Sequence, residues 1–134
     1  MAVQGMTTIS SDFGPDETAA RLVAAIEARG MTLFARIDHA AGAASVGLKL
    51  RPTMLLIFGS ARAGTPLMQA AQTIGLDLPL KALVHEDEAG QTWLSGNDPQ
   101  WLAQRHGLGA GLAPIVDAMK AALAAVSSAA TKAP

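Results

Sequence analysis

The chain has 134 residues, half of them hydrophobic and 16% charged, which suits a single domain able to hold its own core. Ten Lys and Arg against eleven Asp and Glu leave no strong field, and three Phe, two Trp and no Tyr leave few stacking platforms. Neither nucleic acid nor an anionic membrane is therefore an expected partner, and without cysteine there is no disulfide, thiol chemistry or thiolate metal site.

The opening "MAVQGMTTISSDFG" lacks a basic leader and an apolar stretch of about 7–15 residues, and no uninterrupted apolar run long enough for a bilayer follows, so cytoplasmic residence is expected. Alternation from Val3 to Ser10 suits a first strand. In "GPDETAARLVAAIEARG", Pro15 opens a helix, Asp16 and Glu17 favour its first turn, and Gly30 stops it. Ala19, Leu22, Val23 and Ile26 form its buried stripe. "MTLFARID" alternates, which places Met31, Leu33, Ala35 and Ile37 on one side of a strand. A short small-residue segment, "HAAGAASVG", follows as one or two helical turns capped by Asp38.

"TMLLIF" is apolar without alternation, as in a central strand covered on both faces. "TPLMQAAQTIG" reads as a helix with Thr65 as cap, Pro66 first, and Gly75 as its end. "PLKALVHEDEAGQTWLS" is a hairpin whose turn uses the positive φ that Gly90 permits. A short helix capped by Asp98 covers "NDPQWLAQRHG", and a last one carries Leu112, Ile115, Met119, Leu123 and Val126. The expected architecture is α+β: one mixed, largely antiparallel sheet with helices mainly on one face. It occupies residues 1–126 as a single domain, with 127–134 as a flexible tail.

The stretch "IFGSARAGTPLM" raises the question of a phosphate cradle. Gly59 and Gly64 have the spacing of a nucleotide-binding loop, but Thr65 stands where the lysine belongs and Pro66 follows it. Without that cation the loop suits architecture or modest anion capture, with Ser60, Arg62 and Thr65 as candidate ligand residues. No cofactor is implied.

Three segments, "ETAARLVAAIEARGMTLFARIDHAAGAASVGLKLRPTMLLIFG", "GTPLMQAAQTIGLDLPLKALVHED" and "GNDPQWLAQRHGL", resemble the bacterial family called domain of unknown function 302. The pieces that carry the likeness best are Ile37-Asp38-His39, Phe58-Gly59 followed by Gly64-Thr65, and the run from Leu76 to Leu80. The resemblance implies a compact α+β domain, often dimeric. After Phe58-Gly59 the family tends to have Asn-Pro where this chain has Ser60-Ala61, and Gly96 replaces a common tyrosine.

Other residues invite chemistry. Asp38 and His39 end a strand, where an imidazole could exchange protons near neutral pH. His85, Glu86, Asp87 and Glu88 are the only dense cluster of ligand-type side chains, with His85 and Asp87 on one side of a strand; a solvated hairpin end is the favoured account, and no metal site is expected. Arg105 and His106 suit the negative end of a helix, and Trp93 and Trp101 suit core or interface anchors. The last helix is apolar around more of its circumference than one buried face needs, so a homodimer with that helix at the seam is expected.

The leading functional expectation is a non-catalytic binding or interaction domain. It would hold a small anionic or apolar ligand near Asp38, His39 and the turn from Ser60 to Thr65. The alternative is an enzyme with His39 as general acid or base, Asp38 or Glu86 beside it, and Arg62 steadying negative charge. A purely structural subunit is the third.

Overall fold

A computed structural model describes residues 2–134. In chain order the elements are β1 (Met6–Ser10), α1 (Pro15–Ala28), β2 (Thr32–Asp38), α2 (His39–Ser45), β3 (Thr53–Gly59), α3 (Ala61–Ala70), β4 (Leu80–Glu86), β5 (Thr92–Asn97), α4 (Pro99–Arg105) and α5 (Ala113–Thr131). Short 3-10 turns at Gln72–Leu76 and Ala110–Leu112 precede β4 and α5. The five strands form one sheet in the order β1-β5-β4-β3-β2, and all four pairings are antiparallel. The α+β reading holds.

Local chemistry accounts for the first helix. Pro15 sits in the first turn, and Ala19, Leu22 and Ile26 are buried with Val23 packed against them. Gly30 adopts φ +73° and its N–H donates to Glu27, which ends the helix and delivers Met31 to the sheet. Asp38 caps α2 by accepting the Ala41 N–H at 2.9 Å, and Asp98 caps α4 by accepting that of Gln100 at 3.0 Å. In the hairpin Gly90 has φ +83°, while the Asp87 carboxylate accepts the N–H groups of Ala89 and Gln91.

One face of the sheet carries the core. Leu56, Phe58, Leu80, Ala82, Val84 and Leu94 lie under α1 and the second half of α5. A second cluster lies beyond the sheet end where Gly59, Leu80 and Asn97 meet the helices: Leu67, Ile74, Leu102, Ala103, Val116 and Met119. The other face is open. β3 was expected to be covered on both sides, yet Leu55 and Ile57 alternate with the buried Leu56 and Phe58 and remain half-exposed. With Leu83 and Ile37, which is 41% exposed, they make an apolar patch on the open face. The apolar run reflects two different surroundings rather than one.

β2 also departs from simple alternation. Leu33 pairs with Phe58 but Ala35 pairs with Ile57, so Phe34 is an extra residue in a bulge. Every side chain beyond it changes face: Ala35 and Ile37 turn to the open side, whereas Arg36 and Asp38 turn to the helix side.

Two expectations about the last helix are corrected. Residues 127–131 are not a tail: α5 continues to Thr131, where Ser127, Ala130 and Thr131 are buried. The Thr131 carbonyl accepts the Asp12 N–H at 2.8 Å, which fastens the helix end to the start of α1. The span Ala110–Thr131 is also long and apolar enough by composition to cross a bilayer, contrary to the sequence reading. In this fold it supplies Val116, Met119, Leu123, Val126 and Ala130 to the two clusters. Its outward side carries Asp117, Lys120 and small residues.

Candidate functional site

A cavity of about 500 Å³ opens between the end of the sheet and α5. Its walls are apolar: Met31, Met68, Leu78, Leu80, Met119 and Ala122 face it. The bulge brings Phe34, 51% exposed, to the same space. Among the described residues, the polar groups that line it are Arg29, Ser60 and Thr65, with no carboxylate or imidazole. A shallower groove adjoins it through Ser60, Ala63 and Ala118 and adds Arg62, Pro114 and Ile115.

The turn that interrupts β3 and α3 does not start where the sequence places it. Ser60, not Thr65, is the cap residue, and its carbonyl accepts the N–H of Gly64 at 3.0 Å. Thr65 and Pro66 lie inside α3. Pro66 has no N–H for the carbonyl of Arg62, a loss of one hydrogen bond that the complete burial of Leu67 offsets. The earlier start points the first-turn amides of Ala61 and Arg62 toward the region of Ser60.

The remaining candidate residues fall elsewhere. Because β2 and β3 are antiparallel, with Thr32 opposite Gly59 and Asp38 opposite Met54, the ends of the two strands are at opposite ends of the sheet. At about 3.3 Å per residue that separation is roughly 20 Å. Asp38 lines a small hollow with Asp16 and Pro52, His39 is exposed, and Glu86 hydrogen-bonds to Pro52 and Arg51 through its backbone. Arg62 is therefore remote from His39, Asp38 and Glu86, so the four do not share one pocket.

Hydrogen bonds organise the acidic hairpin. His85 Nε2 meets Ser95 Oγ at 2.9 Å, and Ser95 meets Thr8 at 2.8 Å across the open face. Burial pushes the His85 imidazole below its ordinary range, against the opposing charge of Asp87. Asp87 accepts the Trp93 indole N–H at 2.9 Å, and this bond is the main reason its carboxyl is held down. Among the described residues no three side chains of ligand type converge.

Sequence reasoning missed Asp77, which lies in the Leu76 to Leu80 run. Arg105 donates to both of its oxygens, at 2.9 and 2.8 Å, and His106 meets Oδ2 through Nε2. The other nitrogen of His106 meets Thr73 Oγ1 at 2.9 Å. Arg105 and His106 thus tie α4 to the segment that continues into Leu78 and Pro79 of the cavity wall. Burial raises the Asp77 carboxyl, but the His106 bond and the Arg105 charge together outweigh it and hold the group below its ordinary value.

Residues 6–126 match the family described as domain of unknown function DUF302. A stretch of 105 residues is 52% identical to "Fluoride-specific ion channel FluC 1" of Brucella suis biovar 1, covering 78% of this chain and 41% of that protein. The same identity relates it to "Fluoride-specific ion channel FluC 1" of Brucella abortus biovar 1, of which 39% is covered. The chain thus spans about two fifths of these curated relatives. In structure it is similar to an uncharacterized conserved protein DUF302 from Bacillus stearothermophilus, with TM-score 0.84 and 19% identity over 96% of this chain and 99% of that one. That likeness concerns the fold.

Replacing Asp77 by Asn removes the charge that Arg105 and His106 share. The expected cost is about 2 kcal/mol at neutral pH, measured by urea unfolding. Since the folded carboxyl titrates below the ordinary 3.8, its contribution is present above that value and is lost as pH falls through the lower folded value. The difference between wild type and Asp77→Asn should therefore close in acid below pH 3.8.

Proposed function

The chain belongs to the DUF302 family, and from that premise we propose that it is a non-catalytic binding module that takes a small, largely apolar molecule. The cavity of about 500 Å³ is the observation that carries this reading. Its size falls in the range of roughly 300–1,000 Å³ in which small-molecule pockets lie. Apolar walls reward burial of an apolar ligand, while the lack of a lining carboxylate or imidazole leaves no side chain placed for proton transfer. The enzyme alternative has less support, because His39 is exposed and far from Arg62.

N-phenyl-1-naphthylamine, a neutral dye that brightens in apolar surroundings, should gain fluorescence with the protein. Ala118→Trp places an indole where α5 lines the cavity and should weaken that binding about tenfold or more. Unchanged affinity in the variant, or no brightening with wild type, defeats the reading.

For self-association, the open sheet face offers a broad seam, apolar at Ile37, Leu55, Ile57 and Leu83 and polar at Thr8, His85 and Ser95. Five strands spaced about 4.8 Å apart and about six residues long cover roughly 480 Å². Two copies would bury on the order of 1,000 Å², near the lower bound of specific interfaces. Lys81, the lysine on that face, directs its Nζ to the carbonyls of Asp77 and Pro79, so like charges need not meet at the centre. Light scattering should find a wild-type dimer and a Leu83→Glu monomer. A wild-type monomer at high concentration rejects the pairing.

A second reading comes from the names of the relatives. In it this module serves fluoride handling beside a channel, as the matched region stands within proteins called fluoride-specific ion channels. Cells lacking the protein should then grow more poorly in fluoride and recover when it is restored. Growth equal to that of the parent strain removes this reading.

A further inference from the structure

We propose that the cavity's ligand is an apolar organic acid, oriented with its hydrocarbon body inside and its carboxylate at Arg29 and Arg62. The inference rests on the cavity being a binding site and adds the ligand's charge and direction.

The starting observation is where two of the cations lie. Ion pairs in the fold engage Arg21, Arg51, Arg105 and Lys120 with carboxylates. Arg29 and Arg62 share the lack of such a partner with Arg36, Lys49, Lys81 and Lys132 among the described residues, and they differ from those four in lining the cavity or the groove beside it. They come from unrelated elements: Arg29 follows α1, and Arg62 belongs to the first turn of α3. The fold nevertheless brings one to the cavity and the other to the groove that adjoins it through Ser60, Ala63 and Ala118. No acidic side chain lines either space to cancel their field.

A space with this lining has exposed cations beside hydrocarbon walls. A neutral apolar molecule would use only the interior, and a small inorganic anion only the arginines. An acid with an apolar tail uses both. The guanidinium groups can make charge-assisted, paired hydrogen bonds with a carboxylate, which fixes the head group. Met31, Met68 and Met119 provide flexible thioether walls able to accommodate tails of different shape. Both arginines are exposed, so their replacement leaves the buried clusters intact.

Octanoate and octan-1-ol separate the two components, since they share a tail and differ in charge. Titration calorimetry should find octanoate bound about tenfold more tightly than octanol by wild type. Arg29→Gln combined with Arg62→Gln should remove that preference, bringing octanoate affinity down to about that of octanol. Higher salt should weaken octanoate alone. Ala118→Trp should block both probes. Equal affinities in wild type, or an octanoate preference that survives loss of both arginines, overturns the assigned ligand class while leaving the cavity reading intact. Failure of wild type to bind either probe overturns the cavity reading and this inference together.

Discussion

A single helix has to serve two cores. With 19 residues, α5 extends about 28 Å, whereas the strands beneath it, at 5–7 residues, reach roughly 17–23 Å. One half of α5 packs with α1 on the sheet, and the overrunning half needs other cover. The cluster formed by α3, α4 and the turn at Gln72–Leu76 provides it. The two clusters do not merge completely. Ala118, Met119 and Ala122, midway along α5, face the space left between them, and that space is the cavity.

This origin explains why the pocket is apolar while its edge is not. Its inner surface is the exposed boundary of two hydrophobic clusters, to which Leu78 contributes on both sides. Its outer parts are ends of elements, where chains turn and polar groups meet water: Arg29 after α1 and Ser60 before α3. The Asp77 network then matters through position. It fixes the segment leading to Leu78 and Pro79 against α4, so that an exposed connection behaves as part of a wall.

Much of the fold was legible where local rules decide it. Pro15 and Gly30 bound α1, Asp38 and Asp98 cap their helices, and Gly90 turns the hairpin because each acts on its near neighbours. The failures arose where distant contacts override local preference. Thr65-Pro66 is a good helix start in isolation, but the Ser60 carbonyl starts α3 earlier. The small residues after Val126 lack a strong apolar signal, yet the sheet, α1 and Asp12 hold them in α5. The bulge at Phe34 is invisible to a period-two pattern, which it interrupts. As for the candidate site, the sequence groups Asp38, His39 and Glu86 with the turn from Ser60 to Thr65, whereas Ser60 and Thr65 line the cavity and the other three stand at the opposite end of the sheet, a separation that only the strand register reveals. Arg29 and Asp77 gave no distinct signal: one resembles an ordinary helix end, and the other an ordinary turn acid.

The pairing of the first strand with the last has a consequence for how the molecule comes into being. Met6 lies opposite Asn97 and Ser10 opposite Trp93, so β1 finds its neighbour only after some ninety intervening residues have been synthesised. The β2 to β5 meander can assemble from successive neighbours, whereas β1 exchanges its hydrogen bonds to water for sheet bonds only once β5 has formed. Until β5 is in place, the β1 segment remains a strand without its neighbour, open to wrong partners that include the same segment of another copy.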